Sequence, residues 1–459
     1  MTLSLPSAAT DVPTRDRFLD AIRALAIVAV VVQHWTMPVL SYDDGQLATG
    51  NAFTTPGWWV VTWLSQVMPL VFFAGGAANY LSLGRASSST AWLSSRLRRL
   101  LLPLLPLLAV WLAVPTALRL FGVAEQPVAV AGSIAAQLLW FLGVYLLTIL
   151  VTPVLEHAHR RWRWAVPLAL TAAATLVDIA RFDGVPYIGY LNAGFVWFAV
   201  HQLGFFYADG TLRSLSRRTA LAASAVGFGG TAVLVAFGPY ATSMIGMPGA
   251  AMSNMSPPAV VLVPLAVGQL GLVLALRPAL DSWAQRPAVA PALNWLGARF
   301  MSVYLWHMPA LIVLTGITVL GFGFATPEPG TVSWLVTLPG WLLSAAVLLW
   351  AVLRAVTRFE TTTPRAASAS PARLVVAAVL GATGTLALAA TGFAATPWPW
   401  AALLVLAYAL TQTRAPSLRN RRHTPSRRAG VSCSTARRNG SPSSGSASAH
   451  AATARNWVA

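Results

Sequence analysis

Residues 15–39 read RDRFLDAIRALAIVAVVVQHWTMPV. About 20 apolar residues suffice for one helix to cross a bilayer core, and this run is long enough. It is not uniformly apolar, because Arg23 lies near its start and His34 near its end. An ionisable side chain in hydrocarbon costs roughly 3 kcal/mol or more on insertion scales, so its default reading is functional. Eleven residues at about 100° each bring His34 back to within roughly 20° of the Arg23 face, about 16 Å further along the axis. The two side chains therefore line one stripe at two depths, as a reaction channel or a pore needs.

The rest of the chain carries the same signature. Of its 459 residues 56% are hydrophobic and only 10% charged, and the mean hydropathy is +0.64. A soluble domain carries about 25% charged residues, so the composition predicts an all-α, polytopic bundle of membrane-spanning helices in contact with lipid. The net charge of +18 comes entirely from arginine, without a single lysine. A nucleic-acid partner is set aside, because the arginines fall where membrane topology places them. Cys433, in the tail, is the only cysteine, which leaves the membrane region without a disulfide framework, a thiol nucleophile or a cysteine metal site. Asp11, Asp16 and Asp20 interrupt any positive n-region, so the first apolar run reads as a spanning helix and not as a signal peptide.

Spans are expected near 18–39, 58–83, 100–120, 132–154, 164–180, 187–208, 219–237, 257–276, 298–320, 331–353, 374–394 and 397–412, the last of them short. Arginines alternate with these spans. Arg85, Arg96, Arg98 and Arg99 follow the second, Arg160, Arg161 and Arg163 the fourth, and Arg213, Arg217 and Arg218 the sixth. The opposite loops hold only Arg119 and Arg181. The positive-inside rule then places the N-terminus of a multi-pass membrane protein in the cytoplasm. Residues 40–57 and 238–256 are read as outer loops, either covers facing a substrate or ordinary exposed connections. In outline, residues 1–14 form a cytoplasmic segment, 15–355 the main transmembrane domain, 356–373 a linker, 374–412 additional helices, and 413–459 a disordered basic, Ser/Ala-rich tail.

The opening segment, with Leu19–Asp20 and then Arg23 and His34 separated by ten residues, resembles the membrane acyltransferase 3 family. More of that pattern follows in order. MPLVFFAGGAANY (68–80) resembles the family's second-helix segment, with Gly75–Gly76 where Ser–Gly is common. RLRRLLLP (96–103) supplies an R-x-x-R pair as Arg96 and Arg99, and LWFLGVYLLTIL (139–150), which contains Trp140, resembles a fourth-span block. VWFAVHQLGFFYADG (196–210) and MSVYLWHMPALIV (301–313), which holds Tyr304 and His307, complete the likeness over about residues 15–355. The resemblance implies an integral membrane enzyme that moves an acyl group, acetyl first among the possibilities, from cytoplasmic acyl-CoA to a hydroxyl or amine. The acceptor would be a carbohydrate, an envelope component or a secreted compound. No permanently bound cofactor and no metal site are expected.

Acyl transfer to a hydroxyl needs a base that takes the proton as oxygen attacks the thioester carbonyl. Histidine suits that task at neutral pH, and His34 matches the family's essential position; the other reading is a structural histidine satisfied by a neighbouring helix. Arg23 would hold a CoA phosphate or orient the donor, with Asp20, one turn earlier, as a supporting ion-pair partner. Arg96 and Arg99 would bind phosphate through their guanidinium forks, or serve topology alone. His307, Tyr304, His201 and Trp140 are candidate substrate-orienting residues, the alternative being core packing. Two other functions compete. A transporter would use Arg23, His34 and Asp178 for proton coupling, but no convincing repeat relates the two halves. A non-catalytic scaffold leaves the Arg23–His34 stripe without a purpose.

Overall fold

The computed structural model describes residues 16–246, 252–358, 369–393 and 396–413. Most of the 356–373 linker and all but Thr413 of the tail lie outside them. The architecture is an all-α membrane bundle. Among the described residues nine helical segments are long and apolar enough to cross a membrane, or ten if one pair bent by 61° is a single span. Twelve spans were expected. The region 187–208 instead forms a short 3-10 turn followed by a 17-residue helix, and 397–412 forms a helix of 16 residues. At 1.5 Å per residue these reach only about 25 Å.

Helix α1 (Arg17–Thr36) is started by Asp16, whose carboxylate accepts from the Leu19 amide at 3.1 Å. Its second oxygen accepts from the Tyr207 hydroxyl at 3.0 Å, which fixes where α1 enters the bundle. After a 3-10 turn comes the short α2 (Val61–Ser65), then α3 (Met68–Gly84), α4 (Ser89–Leu101) and α5 (Leu104–Leu120). Next are α6 (Glu125–Gln137), α7 (Leu139–Trp162), α8 (Ala165–Phe182) and α9 (Asn192–Ala208). Helices α10 (Arg217–Phe237), α11 (Leu262–Ala275), α12 (Arg277–Ala284) and α13 (Ala290–Ala298) lead to α14 (Phe300–Thr315). Then α15 (Val332–Val356), α16 (Pro371–Thr391) and α17 (Pro397–Gln412) close the order.

Burial separates inner from outer helices. Thirteen of the 16 residues of α14 are buried, whereas α15 buries four of 25 and turns Leu335, Val336, Leu343 and Trp350 outward. In lipid such an apolar exterior is the expected surface, and α14 is the central post of the site. Helices α3 and α9 meet through glycines. A Cβ on Gly76 would lie 2.0 Å from the His201 carbonyl oxygen, and one on Gly204 2.2 Å from that of Phe73. Bare glycine backbones permit that approach, and the contact sets Asn79 beside His201.

Two segments expected from sequence to be outer loops are more ordered than a loop reading allows. Residues 38–51 form an antiparallel hairpin, Pro38–Asp43 with Gln46–Asn51. Its turn is Asp44–Gly45, both at positive φ (43° and 78°), the arrangement that favours Asp-Gly in two-residue hairpins. The described part of 238–256 is packed down. Met244 is buried, its carbonyl accepting from Gln66 Nε2 at 2.7 Å and its amide donating to Thr62 at 2.9 Å. Asp178 accepts from Asn192 (2.8 Å), the Tyr240 hydroxyl (3.1 Å) and the Val260 amide (2.7 Å), so its carboxylate pins both ends of that segment to α8 and α9.

Candidate active site

Helices α1 and α14 run side by side in the same direction. Near their beginnings the Arg23 guanidinium lies 5.6 Å from the Phe300 ring centroid. Two to three turns later the His34 and His307 rings sit 5.2 Å apart. The stripe read from the Arg23–His34 spacing therefore faces α14.

Backbone carbonyls set the tautomers of both histidines. His307 Nδ1 is 2.7 Å from the Tyr304 carbonyl oxygen and His34 Nδ1 is 2.9 Å from that of Val30. A carbonyl can only accept, so each Nδ1 carries the proton. His307 Nε2 then presents a lone pair, 3.3 Å from His34 Nδ1. His34 Nε2 is left as a basic nitrogen with no hydrogen bond among the described residues. His307 is fully buried and His34 is half-buried, so the partner is enclosed and the free base is the more accessible of the two.

The pair is braced from behind. The Trp35 indole donates to the His307 carbonyl at 2.9 Å, and the Trp341 indole to the Trp35 carbonyl at 2.9 Å. The Tyr304 hydroxyl donates to the Leu138 carbonyl, which lies at the break between α6 and α7. Tyr304 also packs against Phe141 at 5.1 Å. It is thus a brace for α14, with its hydroxyl already committed. Trp140 packs beside Phe141 and Trp197, at 6.2 and 6.3 Å, in the aromatic wall.

At the other depth, arginines gather without counter-ions. Arg96 donates to the Ser82 hydroxyl and lies 5.8 Å from the Trp92 ring. Arg23, Arg85 and Arg99 are close enough to add their positive charge to its field. None of these four forms an ion pair among the described residues. Asp20 does not neutralise Arg23, as its position one turn earlier had suggested; it reaches Arg17 at 3.9 Å. Guanidinium groups without an ion-pair partner have the donor chemistry to bind a polyanion. A polar line runs inward from it. Asn79 Nδ2 donates to the Tyr145 hydroxyl at 3.4 Å and to His201 Nε2 at 3.2 Å, and Tyr145 is itself within the field of Arg96. His201, fully buried, belongs to this line and not to the His34 pair.

The arrangement brings His34 and His307 together, and Arg23, Arg96 and Arg99 to one mouth. It keeps His201 and Trp140 in separate packing layers. Trp35, Trp341, Asn79, Tyr145 and Arg85 were not foreseen. For Arg85 a signal existed, since it lies in the same group of arginines between the second and third expected spans; the others became visible only through packing. Among the described residues no group of three or more His, Cys, Asp or Glu side chains could hold a metal ion.

The fold defines a class, a polytopic membrane protein built from a helical bundle, and within it a histidine pair and a group of arginines lie along α1. Residues 16–357 match the family model for the acyltransferase 3 domain. The match covers most of the chain, and the protein belongs to that family: it is a multi-pass membrane acyltransferase. No significant match is found among curated proteins or among solved structures.

Proposed function

We propose that this enzyme transfers an acyl group, acetyl foremost, from cytoplasmic acyl-CoA to a hydroxyl or amine of a carbohydrate, envelope or secreted acceptor. The observation that carries this reading is the pairing of a free His34 Nε2 with an uncompensated arginine mouth about 16 Å away along α1. An extended pantetheine arm has a comparable length. The CoA phosphates rest on Arg23, Arg96 and Arg99 while the thioester reaches His34. Orientation follows the arginine alternation, with the N-terminus cytoplasmic in the inner (plasma) membrane.

In the proposed step His34 Nε2 takes the acceptor's proton as its oxygen attacks the thioester carbonyl. The carbon–sulfur bond then breaks and CoA leaves as thiolate, which takes the proton back from His34 and regenerates the neutral base. The imidazolium formed on His34 keeps its Nδ1–H toward the Val30 carbonyl and the lone pair of His307, both of which favour positive charge there. The acyl group passes from one side of the membrane to the other while CoA stays on the first. The competing exporter reading needs Asp178 as a proton carrier, and three protein donors already occupy that carboxylate.

The test compares envelope glycans, lipids and secreted compounds by mass spectrometry in a deletion strain and in strains complemented with wild type or His34→Ala. A product lighter by one acyl group in both the deletion and the His34→Ala strains is expected. Unchanged profiles in the deletion strain would remove the proposed acceptor classes.

A further inference from the structure

The cleft between α5 and the α16–α17 turn belongs to neither the histidine pair nor the arginine mouth. Its volume is about 430 Å³. One wall is a single face of α5, including Trp111, Pro115 and Arg119, and the other includes Phe393, Pro397 and Trp400. Arg96 and Arg119 are 23 residues apart along α4 and α5, or roughly 35 Å of helix, so this cleft lies at the end of the bundle opposite the arginine mouth. Helices α16 and α17 follow the residues that match the family model, which makes the cleft a feature of this chain's own extension.

Its chemistry is two-sided. The Trp111 and Phe393 rings stack across the cleft at 5.7 Å with planes 16° apart and supply its apolar side. Trp400, in the cleft lining, is exposed, as indoles are at a membrane–water interface. Against this stand donors without acceptors. Among the described residues the Arg119 Nε and the Trp111 indole N–H are buried and have no hydrogen-bond partner. Among the described residues the carboxylate that Arg119 reaches is Glu125, at 3.8 Å and 82% exposed, a solvated contact that contributes little. Pro115 has no N–H, so it also leaves the Trp111 carbonyl without its usual helical partner.

A guanidinium at the mouth of an aromatic, proline-walled cleft at interface depth fits a phosphate-headed amphiphile. We infer that this cleft binds a membrane lipid by its anionic phosphate headgroup, held by Arg119, with an acyl or prenyl chain laid along Trp111, Phe393 and Trp400. The inference does not depend on the acyl-transfer reading, because none of these residues takes part in it.

Native mass spectrometry of the full-length protein in maltoside detergent tests this, with dioleoylphosphatidylglycerol titrated in. Wild type is expected to retain one such lipid that Arg119→Gln binds about tenfold more weakly, the size of a lost charge-assisted hydrogen bond. Trp400→Ala, at an exposed rim position, should weaken the same adduct if Arg119→Gln fails to fold. Equal retention of the lipid by wild type and both folded variants, or by wild type and Trp400→Ala where Arg119→Gln does not fold, overturns the proposal. Displacement by millimolar inorganic phosphate would show a free-anion site and overturn the lipid assignment. Occupancy by the maltoside with no dependence on Arg119 would show a sugar site and do the same.

Discussion

His307 Nε2 lies 3.3 Å from His34 Nδ1, across 273 positions of sequence. The contact joins the first helix of the matched domain to one of its last. It gives His34 a second acceptor for its Nδ1 proton, so that Nε2 is the nitrogen left to act as base. Removal of His34 by alanine should lower transfer by about 10²–10⁴-fold, the usual contribution of a general base, with unchanged membrane insertion. His307→Ala should be milder, about tenfold, and should act on kcat with little change in the KM for acyl-CoA. Initial rates of the purified variants check both. Near-normal turnover by the His34 variant would remove the base from the mechanism.

The arginine mouth makes a different prediction. Arg23→Ala and Arg96→Ala should each raise the KM for acyl-CoA by roughly 10–100-fold, as lost charged hydrogen bonds to phosphate do. Arg96→Lys should recover only part of this, because an ammonium cannot make the bidentate contact. Calorimetric titration with CoA checks it. Wild-type affinity in both alanine variants would sink the donor assignment.

Packing of α3 on α9 sets a third expectation. Gly76→Ala places a Cβ 2.0 Å from a backbone oxygen that cannot move alone, and overpacking of this kind costs about 1–3 kcal/mol. Gly75→Ala meets the end of the Tyr145 side chain at 2.8 Å, which can swing aside. Thermal unfolding in detergent should therefore show a larger fall in Tm for Gly76→Ala. The reverse order would mean that the α3–α9 contact is looser than the Gly76–Gly204 geometry implies.

Topology can be read by labelling. With Cys433→Ser as background, Asp44→Cys in the hairpin turn and Ser87→Cys beside Arg85 should react with an impermeant maleimide from opposite faces of the membrane. Labelling of both from outside would overturn the proposed orientation and the assignment of the arginine mouth to cytoplasmic acyl-CoA.

Asp209 supplies a pH dependence at the end of α9. Burial pushes its carboxyl up, but the Thr211 hydrogen bonds, His159 and Arg163 outweigh burial, and its pKa is lowered. A depressed carboxylate stabilises the fold above its unfolded pKa, about 3.9, and that stability is lost as pH falls through the lower folded value. The Tm difference between wild type and Asp209→Asn should hold at pH 7 and shrink below about pH 4. A difference that grows on acidification would reverse the assigned sign.

Sequence by itself determined the class of architecture, because a hydrocarbon solvent leaves few choices. Long apolar runs must become helices that satisfy their own backbone, and arginines between them mark one side. The Arg23–His34 stripe was legible for the same reason, as helical period fixes relative direction within one helix. The hairpin at 38–51 was read only as part of a loop, although Asp44–Gly45 is a pair that favours a two-residue hairpin turn. Tertiary structure alone decided which histidine partners His34, since no local period relates α1 to α14. It also decided that His201 lies with Asn79, that Asp20 turns to Arg17, and that Asp178 fastens Tyr240 and Val260. These are contacts between helices distant in sequence or choices among nearby partners. They are set by which glycines let backbones approach and which carbonyls are left open at a helix break.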